Sequence, residues 1–478
     1  MLWHTFFVLL SLSPAALQSQ TQSKKPDSVT QRSRLDSIIR ASLVDLPLAS
    51  ASVAILRGDD TLLWTAQGYA DLENRVPASP STVYPIGSIT KQFTAAAILQ
   101  QVERGAIRLD DDVAKYVPEY SSRGKRVTIR QLLNHTSGMR DVSDLGDAFS
   151  RTLRVDVPQK DMLALIRDQP FNFEPGSNWS YNNTGYYLLG VILERVTGTP
   201  YPDYIRDRVA RPAGLAATTY CDTRSLIPHR ARGYDAVGLD FLNATYMSMN
   251  LFSAVGLCST AGDLVTWARA LQSGKVISRE SYRLMTTPEG AAARASPPYG
   301  FGLAVIEYRG RRYISHVGLV AGFSAVVSMS SDSVVIAVVT NTTGFGSSIL
   351  GGRLESAIRG ETGPTFQKAT RLEEPEGKPL TKSQLRRYIG RYAVREVRND
   401  SLTSPDAVTL HVFDENGRLT AQLTGDPPET LTLIGDHEFV ARARPDMRFT
   451  FVVTQERATQ VTFVGPDGTY KGARISDH

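Results

Sequence analysis

An α+β fold is predicted for this chain: an antiparallel sheet flanked by helices with a helical lobe beside it, followed by a small all-β, barrel-like domain. Three observations predict it. Strand patterns come first, helical patterns and long loops fill residues 105–250, and strand patterns return between 302 and 340, so early and late strands can share one sheet. At 478 residues the chain is too long for one ordinary core. Beyond a Pro-containing stretch at 361–380, apolar residues alternate rather than recur at helical spacing.

Residues 1–20 contain no Lys, Arg, Asp or Glu, and the apolar run from Leu2 to Leu12 is followed by Ser13-Pro14-Ala15-Ala16. The pattern predicts a signal peptide over 1–22 and export to the periplasm or the extracellular space, although Lys and Arg are missing from its start. The run is short for the ~20 apolar residues that cross a bilayer. The only cysteines, Cys221 and Cys258, leave two readings open, a disulfide or two buried thiols. Lys and Arg number 53 against 48 Asp and Glu, a net charge of +5, and they are scattered. That distribution describes a solvated surface, so no nucleic-acid partner is expected.

The first domain is placed at 28–360. Residues 28–46 read as a helix with Leu35, Ile38, Ile39 and Ser42 on one face. Ser52–Leu56 and Thr61–Thr65 flank Gly58-Asp59-Asp60 as a hairpin. A buried helix runs from Ser88 to about Arg104 and stops at Gly105. Thr128–Leu133 and Gly185–Val196 are helical, and a further helix starts at Thr260, where Thr260 and Asp263 have capping-box spacing. Strands are expected at Gly302–Tyr308, Arg312–His316, Gly322–Met329 and Val334–Thr340. Residues 361–380, with Pro364, Pro375 and Pro379, read as a linker. From 381 to 478 a β-meander follows: Val408–Val412, a turn at Asn416-Gly417, Leu419–Leu423, Phe449–Val453 and Gln460–Val464.

Three short motifs carry chemistry. In Ser88-Ile89-Thr90-Lys91 the first and last residues lie one helical turn apart, so the Lys amine can take the Ser proton, and the positive end of the helix dipole favours a neutral Lys. Ser122-Arg123-Gly124-Lys125 has the same spacing but lies in a polar loop and reads as a solvated turn. In Tyr181-Asn182-Asn183, a Tyr near a cation loses its proton more easily, and Asn183 can orient Lys91. His316-Val317-Gly318 follows an alternating strand. There Gly318 would let substrate backbone lie close, and the Leu319 amide would join that of Ser88 in an oxyanion hole. Each motif alone has a plain structural reading: chance, a packed loop tyrosine, a strand histidine.

Together, in this order, the three motifs resemble the β-lactamase-like and penicillin-binding-protein-like serine hydrolases, closest to the class C β-lactamases with their esterase and D-aminopeptidase relatives. Ile129–Gly138, Phe173-Glu174-Pro175-Gly176 and Ser259–Leu264 look like that family's connecting stretches, and the resemblance covers about residues 35–360. It implies Ser88 as acylated nucleophile, Lys91 as its proton partner and Tyr181 as base and relay to the leaving group. It further implies Asn183 in positioning, His316 lining the pocket, and Ser88 and Leu319 amides in the oxyanion hole. His135 and Ser137 sit in a family-like loop read as structural. The segment from 381 resembles the lipocalin-like β-domains appended to some members, with Tyr388–Tyr392 as its opening.

One departure bears on substrate. The β-lactamases proper carry Lys where this chain has His316, and a neutral His is a poorer anchor for a carboxylate. The expectation is therefore a secreted serine hydrolase acting on esters, D-amino-acid peptides or amides, or β-lactams. Peptidoglycan fragments fall within its small-molecule or peptide substrates. The alternative is a catalytically weak envelope protein that binds a peptide or lipid with the same fold. No metal-ligand spacing, P-loop or dinucleotide fingerprint occurs, so no cofactor is expected.

Overall fold

The computed structural model describes residues 28–120, 122–363, 377, 380–398, 401–402, 407–424, 426, 428–465 and 468–476. The predicted signal peptide and most of the predicted linker lie outside these residues.

The opening helix spans Ser28–Asp45, and its predicted face is buried: Leu35 and Ile39 pack with Leu350, Leu354 and Ile358 of the helix Gly346–Arg359. Both helices cover one face of a seven-stranded antiparallel sheet. Its order is Val76–Pro77, Asp60–Asp71, Ser50–Arg57, Val334–Thr340, Phe323–Ser330, Arg311–Val320, Ala304–Tyr308. The start and the end of this domain meet at the sheet's centre, where Val53 pairs with Val338 and Ala54 with Ala337. Val334–Thr340 is buried throughout because the helix Ala261–Ser273 packs on the other face. An uninterrupted apolar run of this kind marks a strand covered on both sides.

Two local expectations change. The strand predicted to end at His316 continues to Val320, turning through Ala321-Gly322 into its partner. At the Ala261–Ser273 helix, Thr260 caps Asp263 N, but Asp263 does not reach back to close a box. Its carboxylate instead accepts from the Ala217 and Thr218 amides and the Thr218 hydroxyl, three donors where a box offers one. Closed capping boxes lie at Thr128 and Gln131 and at Thr381 and Gln384.

Cys221 and Cys258 form a disulfide with Cα atoms 5.0 Å apart. Cys258 lies on the short strand Leu257–Ser259, which pairs with Tyr84–Pro85 just before the Ser88 turn.

The C-terminal segment is a closed barrel of eight strands from Gly390 to Ser476, in which Gly390–Arg398 pairs with both Val408–Glu415 and Gly468–Ser476. The Asn416-Gly417 turn has φ of 55° and 81°, the left-handed pair a tight hairpin requires. Tyr388, Tyr392, Phe439, Phe449, Phe451 and Phe463 fill the interior, making it a packed core. The barrel meets the helical lobe where Asp147 accepts from Thr409 N at 2.8 Å and Thr409 Oγ1 at 2.6 Å.

Candidate active site

Ser88 lies on a single 3₁₀ turn, Gly87–Ile89, that leads into the helix Thr90–Glu103. The turn is wedged against the sheet. A Cβ on Gly87, which has φ +50°, would stand 2.7 Å from Leu319 N, and one on Gly318 would collide with the Ile86 carbonyl. The glycine at 318 is thus required for the strand to seat the turn that carries Ser88. Ala304–Tyr308 pairs only as far as Ser315, so among the described residues no strand covers 316–320 on that side, and they face the turn. Ser88 and Leu319 backbones consequently stand next to each other.

Lys91 is fully buried and has three partners. Its Nζ lies 3.0 Å from Ser88 Oγ, 2.8 Å from Asn183 Oδ1 and 3.1 Å from the Ala254 carbonyl. Two of these can only accept, and the third is a hydroxyl that can donate. The set accommodates both states of the amine: an ammonium donates to all three oxygens, and a neutral amine donates to Asn183 and Ala254 while its lone pair faces the Ser88 hydroxyl. Burial pushes Lys91 down from 10.5 to about 7, while the Asp141 charge opposes the fall.

Asn183 opens the helix Asn183–Thr197, whose N-cap Asn182 accepts from Gly185 N. Behind it lies Asp141, a buried carboxylate that accepts from the Asn183 amide N–H and, at 3.4 Å, from Asn183 Nδ2. Tyr181 places its ring 4.8 Å from Lys91 Nζ. Burial raises its phenol above the ordinary 10, and the Ser88 hydroxyl beside it offsets part of the rise. Burial is the largest influence on the Tyr181 phenol and opposes loss of its proton, whereas burial of Lys91 brings the amine close to neutral pH. The Tyr181 hydroxyl is buried and, among the described residues, completes no hydrogen bond of ordinary geometry.

His316 is buried with both ring nitrogens engaged: Nε2 accepts from Tyr299 Oη at 2.8 Å, and Nδ1 donates to the Val317 carbonyl at 2.7 Å. Burial first, then the nearby Lys91, pushes its pKa to about 3, so it is neutral. His135, in the left-handed region at φ 62°, accepts from Asn182 N through Nδ1 and packs against Tyr181 and Tyr299. Arg140 donates to the Asp144 carbonyl.

The fold thus brings Ser88, Lys91, Tyr181, Asn183, His316, Gly318 and Leu319 to one place. The sequence pattern of the beta-lactamase family matches residues 35–355. The chain belongs to the beta-lactamase family. It is 27% identical over 410 residues to a penicillin-binding protein of Bacillus subtilis, covering 82% of this chain and 88% of that one. It is 30% identical over 273 residues to a D-aminopeptidase of Brucella anthropi, covering 57% and 52%. A D-stereospecific amidohydrolase structure from a Streptomyces species superposes with TM-score 0.57 at 27% identity, covering 70% of this chain and 98% of that one. An octameric penicillin-binding protein homologue from Pyrococcus abyssi shares the fold at TM-score 0.61 and 22% identity, over 92% and 99%. The protein is a serine hydrolase of this family.

Sequence reasoning missed three parts of the site. Asp141 follows the family-like loop by only three residues, and its position there was the one available signal. Tyr299 and the Ala254 carbonyl carry no motif.

Proposed function

We propose that this hydrolase is exported and cleaves neutral esters or D-amino-acid amides and peptides through an acyl-Ser88 intermediate, in preference to penicillins. The carrying observation is Lys91, pushed to about 7 and 3.0 Å from Ser88 Oγ, with its two other partners both acceptors. Ser88 Oγ attacks the carbonyl carbon as its proton passes to Lys91 Nζ. The carbonyl π pair moves to oxygen, where the Ser88 and Leu319 amides donate to it. The intermediate collapses with cleavage of the bond to the leaving group, which takes its proton along the Lys91–Tyr181 path. Water then releases the acid and restores Ser88.

The substrate preference rests on His316, which is neutral and internally hydrogen-bonded and so offers a carboxylate no charge. D-amino-acid chemistry is supported by the D-aminopeptidase and D-stereospecific amidohydrolase relatives. Export is supported by the apolar N-terminal run and by the paired cysteines. The test is labelling with a fluorophosphonate followed by peptide mapping, with parallel assays on nitrophenyl esters, D-amino-acid amides and a cephalosporin. A single label on Ser88 and turnover of the first two classes are expected. Label on Ser122 overturns the assignment. Absence of both label and turnover would favour the ligand-binding alternative.

A further inference from the structure

We infer that Asp141 is a positioning residue that sets which way the Asn183 amide faces and, through it, the protonation of Lys91. An Asn side chain offers a carbonyl on one side and an amino group on the other, and reversal exchanges them. A carboxylate can only accept. Asp141 Oδ1 lies 3.4 Å from Asn183 Nδ2, and Oδ2 accepts from the Asn183 backbone N–H. The amino group is therefore held toward Asp141, and Oδ1 is left facing Lys91 Nζ at 2.8 Å. With the amide reversed, Nδ2 would confront the amine donor to donor, and Lys91 would have to present its lone pair to Asn183 instead of Ser88.

Asp141 is itself fixed. Its Oδ1 accepts from Ser143 N at 2.9 Å and from the Ser143 hydroxyl, capping the turn Val142–Asp144. The other groups facing Lys91 are the rings of Tyr181 and Tyr186, with His135 and His316 behind them, and none carries negative charge while its phenol is protonated. Asp141 is the carboxylate that opposes the burial-driven fall of the Lys91 pKa. The inference rests on Lys91 being the acceptor of the Ser88 proton.

Asp141→Asn and Asp141→Glu separate charge from geometry. In Asp141→Asn the acid limb of kcat/KM should move down by about 0.5–1 pH unit, because the charge favouring LysH⁺ is gone. Its kcat should fall roughly 10- to 100-fold with little change in KM, as a misplaced catalytic group does. Asp141→Glu should keep the limb near its wild-type position while kcat falls. A wild-type limb in folded Asp141→Asn overturns the inference. Should that variant not fold, wild-type kcat in Asp141→Glu overturns it. Lys91→Ala distinguishes the premise: if it retains turnover, the reading of Lys91 is at fault. If it is inactive while Asp141→Asn behaves as wild type, only the role of Asp141 fails.

Discussion

Tyr299 donates its hydroxyl to Nε2 of His316, and this one bond decides what the histidine can do. With Nδ1 already donating to the Val317 carbonyl, the ring has no free nitrogen and no charge. Because burial holds its pKa at about 3, acidifying from pH 8 to pH 5 should leave the ratio of kcat/KM for a cephalosporin and a neutral nitrophenyl ester unchanged. His316→Lys should raise that ratio about 10- to 150-fold, the worth of a charged hydrogen bond of roughly 1.5–3 kcal/mol. A ratio that climbs as wild type is acidified would show that the ring titrates after all.

The acid limb of the wild-type rate profile should centre near pH 7. The sign follows from Lys91 acting as a base: it works deprotonated, so activity is lost as pH falls through its depressed pKa. Lys91→Ala and Tyr181→Phe should each lower turnover by roughly 10²–10⁴. The double variant should be little worse than the poorer single, since groups on one proton path are non-additive. Multiplicative losses would assign the two residues separate jobs.

Acid should also destabilise the fold through His316. Its folded pKa is depressed from 6.5 to about 3, so its contribution to stability is complete above pH 6.5 and is lost progressively from 6.5 down to about 3. The unfolded chain binds a proton in that window that the folded chain does not, costing about 1.4 kcal/mol per pH unit for a fully buried ring. Urea unfolding at pH 7, 6 and 5 should show His316→Gln losing less stability per unit than wild type. Parallel slopes would place the acid sensitivity elsewhere.

We propose that residues 381–478 form a unit held to the helical lobe in part by Asp147. Asp147→Ala leaves Thr409 N and Oγ1 without their acceptor, a loss of about 1–3 kcal/mol at a half-buried contact. Calorimetry should then resolve a barrel transition from that of the hydrolase domain. One unaltered transition would mean that other contacts carry the docking.

How much of this the sequence could show depended on the range of the interaction. Ser88 and Lys91 are one turn apart on one helix, so local spacing sufficed. The strand Val334–Thr340 was readable to its ends because both of its faces are apolar. The protonation of Tyr181 was not readable, because it turns on how much of the fold closes around the phenol. Gly318 was read as leaving room for substrate backbone, and the structure adds a close approach of the turn Gly87–Ile89 that no local pattern marks. Asp141 and Tyr299 act on residues 42 and 17 positions away, and a lone Asp or Tyr in a loop carries no period to mark it.

Ser88 is also 1% exposed. A carbonyl carbon that reaches Ser88 Oγ has to come along a narrow approach, and any conformation that closes it removes protein from the binding-competent population. Observed affinity then equals intrinsic affinity scaled by the open fraction: a site open one time in a hundred binds about a hundredfold more weakly than its contacts warrant. Selection among substrates is in that case partly steric, favouring acyl groups slim enough to reach Ser88.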